Sequence, residues 1–308
     1  MLAFVFPGQG SQTAGMGADL AREFPVCADT FAEADDVLGF SLSQTCFSGS
    51  EQELQLTAIA QPAILATSVA ALRVLESEGI RPSAVAGHSL GEYSALVAAG
   101  SLSFRDALTL VRKRGTYMQE AVPVGVGAMA AIMGLDFERL DQICREASGT
   151  TQVSPANFNA PGQVVISGHA DAVDRAIALA QERGARRALK LAVSAPFHCA
   201  LMQPAADRLT SDLVATRFND LSVPLVSNIS ASALRTGAEA RACLIRQVTG
   251  AVRWEESVRT LASMGVNRVM EVGPGRVLMG LIKRIESSII CASAGDAASL
   301  SSAKEFAA

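Results

Sequence analysis

One pentapeptide carries the arrangement best suited to chemistry: Gly87-His88-Ser89-Leu90-Gly91. Where a strand runs into such a sequence and a helix leaves it, the serine stands at the tip of a sharp turn. Its oxygen is then exposed at the carboxyl end of the strand, near the positive end of the next helix. The flanking glycines let the backbone turn without steric penalty. A hydroxyl is a poor nucleophile until a base takes its proton. The usual base is an imidazole, which is mostly neutral near pH 7 because its ordinary pKa is ~6.5.

The chain has only three histidines, His88, His169 and His198. His88 adjoins Ser89 in the turn, where neighbouring side chains diverge. His169 stands at the start of an expected helix. His198 lies in Pro196-Phe197-His198, where the chain passes from one expected domain to another. Ligand sites tend to form at such junctions, so elimination leaves His198 as the base. A hydrolase triad adds an acid in the order Ser, Asp or Glu, His. Between Ser89 and His198 the acids, such as Asp171 and Asp174, fall mostly on expected helices. A Ser–His dyad oriented by something other than a carboxylate fits better.

The elements that must position these residues follow from apolar patterning. Residues 2–6 and 83–86 read as buried strands, 61–78 and 92–99 as helices closed by Gly79 and Gly100. Strand alternating with helix predicts an α/β layered fold with a parallel sheet. After the Pro and Gly cluster at 123–127 the pattern changes. Strands at 128–133, 152–157, 163–167 and 186–193, with helices at 137–147 and 171–183, give the order β-α-β-β-α-β of a ferredoxin-like unit. The first pattern then returns, with strands at 223–229 and 268–272 and helices from 254–264 and up to 285. The expected architecture is a discontinuous α/β domain, 1–124 and 196–308, interrupted by a small domain at 125–195. The tail from Ala294 carries little signal.

Composition narrows the function. With 49% hydrophobic and 18% charged residues, the 308-residue chain is not disordered and can bury a large core. A net charge of −4 excludes a globally basic nucleic-acid binder, and 5% aromatics disfavours base-stacking platforms. The six cysteines show no C-x-x-C spacing, so zinc and dithiol readings fail and buried, reduced thiols are expected. The apolar start ends at Pro7 without a basic segment, unlike a signal peptide. Nowhere does the chain show an uncharged apolar stretch of ~18 residues, so no membrane span is expected. The expected location is the cytoplasm.

Four motifs in order resemble one family. They are Phe6-Pro7-Gly8-Gln9-Gly10-Ser11-Gln12, Gly87-His88-Ser89-Leu90-Gly91-Glu92-Tyr93, Arg114-Gly115 and Phe197-His198. With Glu271-Val272-Gly273-Pro274-Gly275 they make the whole chain similar to malonyl-CoA:acyl carrier protein transacylases. The resemblance implies a hydrolase-like α/β domain with a ferredoxin-like insertion, in agreement with the elements above.

It also implies two acyl transfers through Ser89, with His198 as base and acid and a backbone carbonyl near Gln247 orienting the imidazole. The backbone N–H groups of Gln9 and Leu90 would form the oxyanion hole. Arg114 would clamp the malonyl carboxylate; without the resemblance Arg112-Lys113-Arg114 reads as a solvated basic face. Phe197 would shape the acyl pocket, and Gln61, Asn157, Gln163 and Gln247 would line the cleft. No cofactor and no metal are implied. The partners implied are malonyl-CoA and an acidic acyl carrier protein, met by a local basic patch: Arg183, Arg186, Arg187 and Lys190, or Lys283 and Arg284. A monomer that contacts neither nucleic acid nor membrane is expected.

Three alternatives remain open on the sequence. A serine hydrolase or thioesterase shares the same turn, because water and a thiol both resolve an acyl-enzyme. An acyltransferase of polyketide assembly would prefer another acyl group. A binding module would need Ser89 and His198 to be coincidental.

Overall fold

In the computed structural model the described residues are 1–193 and 195–307. Residues 194 and 308, which fall within the expected domain ranges, lie outside them. Six strands form the first sheet: β1 (Leu2–Phe6), β2 (Ala84–Gly87), then β7 (Leu225–Val226), β8 (Ala233–Leu234), β9 (Arg268–Val272) and β10 (Ile290–Ala294). Their order is β10-β9-β1-β2-β7-β8, parallel except for the antiparallel β7–β8 pair.

β1 shows why its sequence is an unbroken apolar run. Phe4 and Phe6 enter the core on one face of the sheet, and Ala3 and Val5 enter the core on the other. A strand covered on both faces has no polar side to display. The first face packs against the helices Thr57–Ser77 and Phe104–Glu120, and the second against Trp254–Ser263 and Val277–Ile285.

The second sheet is antiparallel, in the order β4-β5-β3-β6. It comprises β3 (Gly127–Met133), β4 (Val153–Ala160), β5 (Gln163–His169) and β6 (Arg187–Lys190). The helices Phe137–Ala147 and Ala170–Glu182 complete the β-α-β-β-α-β order. Leu140, Ile143, Cys144 and Ala147 recur at helical spacing and face a separate small core. β4 is tied to the larger unit by two backbone hydrogen bonds, Phe158 N–H to the Val252 carbonyl and Val252 N–H to the Ala156 carbonyl, both 2.8 Å.

The differences from the sequence reading have local causes. The helix Thr57–Ser77 starts before Gln61 and contains Pro62, which cannot donate to the Ala58 carbonyl four residues back. The Arg112 guanidinium donates to that carbonyl instead. This helix is long and apolar enough to cross a membrane, contrary to the expectation above, but most of it is buried inside the protein. It is a core helix. The strand expected at 223–229 shrinks to two residues, because at Ser227 and Asn228 the chain leaves the sheet for the candidate site. The sequence reading has no strand at residues 290–294, where the edge strand β10 lies, and the tail beyond it supplies two short helices.

Candidate active site

β2 ends at Gly87 and the next helix spans Gly91–Ala98, so Ser89 occupies the turn between them. Its φ is 52°, the left-handed region, which costs a non-glycine residue of order 1–3 kcal/mol. The two glycines serve differently from expectation: the left-handed conformation falls on the serine, and they are needed for close approach. A Cβ on Gly87 would sit 2.0 Å from the Gly91 carbonyl group, and one on Gly91 2.0 Å from the Phe6 carbonyl oxygen.

The strained turn is held by a residue that the sequence reading does not single out. The fully buried Asn228 accepts the Ser89 N–H through Oδ1 and donates through Nδ2 to the Gly87 carbonyl, both at 2.6 Å. The only hint is a polar pair, Ser227-Asn228, interrupting an apolar run.

His198 also has a positive φ, 60°, and brings Nε2 to 2.7 Å from Ser89 Oγ. Its Nδ1 lies 3.0 Å from the Gln247 carbonyl and 3.1 Å from that of Gly250. Carbonyls only accept, so Nδ1 bears the hydrogen and Nε2 offers its lone pair to the serine hydroxyl. Burial, reinforced by the nearby Arg114 cation, pushes the His198 pKa down to about 3. The imidazole therefore stays neutral and able to accept a proton. His169 stands apart, its Nδ1 accepting the backbone N–H of Gln152 in the smaller unit.

Arg114 is 1% exposed, on the face of its helix shared by Leu110, Val111 and Met118. The basic run is therefore not one solvated face. Lys113 pairs with Asp212, Arg112 caps Ala58, and Arg114 points inward. Its Nη1 donates to Gln61 Oε1 at 2.8 Å, and its Nη2 reaches Ser89 Oγ and Gln247 Oε1, each at 3.0 Å. The Gln247 side chain continues inward: Nε2 donates to the Ser89 carbonyl at 3.0 Å and to Glu92 Oε2 at 2.7 Å. Gln247 thus positions His198 through its main chain and Arg114 through its side chain.

A cavity of about 380 Å³ opens onto Ser89. Gln9, Leu90, Gln61, Arg114, Asn157, Phe197 and His198 all line it, as do His88 and Asn159. Leu90 immediately precedes the helix Gly91–Ala98, and Gln9 sits in the turn after β1, its side chain bonded to Thr57. Two expected lining residues are not among those around the cavity. Gln247 is buried behind Arg114, and Gln163 starts β5 beside the hairpin turn, paired with Ala160 and Met133. His88 Nε2 is 2.8 Å from Asn159 Oδ1, a contact from the turn to β4. No group of three or more His, Cys, Asp or Glu that could hold a metal occurs among the described residues.

Comparison with known proteins gives the family of the chain. Residues 3–303 match the acyl transferase domain family. The chain is 50% identical over 305 residues to the malonyl CoA-acyl carrier protein transacylase of Escherichia coli (strain K12), with 99% of each covered. It is 50% identical over 285 residues to that of Bacillus subtilis (strain 168), covering 92% of this chain and 90% of the relative. The solved malonyl CoA-acyl carrier protein transacylase from Coxiella burnetii superimposes with a TM-score of 0.97 at 43% identity, over 100% of this chain and 98% of that one. A malonyl-transacylase solved in complex with a type II PKS acyl-carrier protein gives 0.96 at 51% identity, over 99% of both chains. The chain belongs to the acyl transferase family, among the malonyl CoA-acyl carrier protein transacylases.

Proposed function

We propose that this protein moves a malonyl group from malonyl-CoA to the phosphopantetheine thiol of an acyl carrier protein, with Ser89 carrying it as an ester between the two. In the first half, Ser89 Oγ attacks the thioester carbonyl while its proton passes to His198 Nε2. The Gln9 and Leu90 backbone N–H groups stabilise the oxyanion. Collapse breaks the C–S bond, and the departing CoA sulfur takes the proton from His198. The second half runs in reverse, with the carrier thiol as nucleophile and Ser89 as leaving group.

The observation that carries the reading is the buried Arg114 guanidinium at the cavity wall, 3.0 Å from the nucleophile. A buried cation beside a nucleophile favours an acyl group that brings its own carboxylate, and a guanidinium matches that carboxylate as a fork. Arg114→Ala, assayed with malonyl and acetyl donors, tests it. Malonyl transfer should fall at least 100-fold more than acetyl transfer, and an equal loss would contradict the clamp.

The finer assignments rest on the same reading. We assign residues 125–195 to the smaller domain and the flanking segments to the larger one. For the carrier we favour Arg186 and Arg187. Both are exposed, Arg186 just before the edge strand β6 and Arg187 as its first residue, and the chain continues from β6 into the cavity rim at Leu191, Ala192 and Val193. Arg183 and Lys190 are engaged by Glu146 and Asp174. We place the monomeric enzyme in the cytoplasm, supplying fatty-acid elongation; its six free thiols suit a reducing compartment.

A further inference from the structure

Glu92 is a carboxylate 1% exposed, in the first turn of the helix that follows the nucleophile. Among the described residues its Oε2 accepts from Gln247 Nε2 and, at 3.3 Å, from the Asn228 N–H. The mechanism above gives it no step. Yet a single amide side chain separates it from the Arg114 guanidinium: Gln247 bonds Glu92 at one end and Arg114 at the other. The free site therefore holds one buried cation and one buried carboxyl group, linked through a neutral amide.

A malonyl group on Ser89 would bring a second carboxylate to the same guanidinium. Two carboxylates sharing one cation away from water do not both stay ionised; one binds a proton. The malonyl carboxylate would meet the guanidinium directly, whereas Glu92 is held one residue away, so Glu92 is the group that yields. We propose that Glu92 is a charge-compensating residue, taking up one proton from solvent when Ser89 becomes malonylated and releasing it when the malonyl group leaves. The reaction then balances as malonyl-CoA, serine hydroxyl, Glu92 carboxylate and one proton giving malonyl-serine, protonated Glu92 and CoA thiol. This inference rests on the malonyl reading above.

The surroundings leave Glu92 poised for this. The groups that face it are Arg114 from the helix Phe104–Glu120, Gln247 at the end of Gly237–Gln247, Ser227 and Asn228 after β7, and Tyr93 on its own helix. The donors and the cation favour the carboxylate, as does its place near a helix start. Burial outweighs them and pushes its pKa up to about 7. His198, already held neutral, is not a competing acceptor in the resting site.

The test counts protons in one turnover. Enzyme is mixed with stoichiometric malonyl-CoA or acetyl-CoA, without carrier, in a lightly buffered solution at pH 7.5 containing a pH indicator. Intact mass gives the adduct in each case. The acetyl reaction reports the proton balance of the CoA thiol alone. The malonyl reaction should consume roughly 0.5–0.8 proton more per adduct than the acetyl reaction. Glu92→Gln should still form the malonyl adduct but lose that difference. Equal proton counts for the two donors in the unaltered protein, with the malonyl adduct formed, would overturn the inference and leave the malonyl reading intact. Absence of any malonyl adduct would overturn both.

Discussion

Asn228 holds Ser89 in its left-handed turn by accepting the serine N–H at 2.6 Å while its amide nitrogen donates to the Gly87 carbonyl, also at 2.6 Å. One side chain thus bridges the residues on either side of His88. Strain at the nucleophile is maintained by a neighbouring segment that lies 139 residues away in sequence.

Asn228→Ala should therefore damage both stability and rate. It removes the partner of a part-buried N–H and of a buried carbonyl, at about 1–3 kcal/mol each. Denaturant unfolding should show a loss of roughly 2–5 kcal/mol, and single-turnover acylation should slow by at least tenfold. Unchanged acylation in a destabilised variant would show that the turn holds without this clamp.

The acid stability of the protein should carry the signature of His198. Its pKa falls from 6.5 to about 3 on folding, so between those values the unfolded chain binds more protons and stability is lost as pH falls. Glu92 works in the opposite direction. Its pKa rises from 4.5 to about 7, so its contribution is lost as pH rises across that range. The two offset each other between pH 4.5 and 6.5, and below 4.5 the histidine is the one of the two that still contributes, alongside carboxylates such as Asp171 that folding also holds low. Comparing His198→Asn with the unaltered protein by urea unfolding isolates the histidine. Between pH 4.5 and about 3 the variant's stability should fall less steeply than the unaltered protein's, by up to about 1.4 kcal/mol per pH unit. Parallel slopes would mean that His198 titrates normally.

Carrier recognition should depend on Arg186 and Arg187 through charge. Reversing both to Glu should raise the KM for carrier protein about tenfold at low salt, shrinking as salt screens the surface. Malonyl-CoA kinetics should not change. Parallel effects on both substrates would remove the docking role.

Much of this was legible in the sequence because it is local. Leu2–Phe6, Phe137–Ala147 and Arg268–Val272 follow from apolar runs and helical spacing alone. Ser89 was visible because a strand, a turn and a helix surround it, and His198 because so few histidines compete. What escaped depends on residues far apart in the chain. Nothing near Asn228 announces a clamp on Ser89, and Glu92 looks like an ordinary first-turn acid until burial and Gln247 give it a place. Arg112 read as a solvated charge because its partner, the carbonyl freed by Pro62, lies on another helix. Gln163 was placed in the cleft by resemblance, and the β4–β5 hairpin sets it outside the cavity lining.

The central claim is that Ser89 carries the malonyl group, and intact mass after mixing with malonyl-CoA in the absence of carrier tests it most directly. The account predicts one malonyl adduct per chain, absent in Ser89→Ala and discharged on adding acyl carrier protein bearing its phosphopantetheine arm. Steady release of CoA and free malonate with no adduct would contradict it, and would make the site that of a hydrolase.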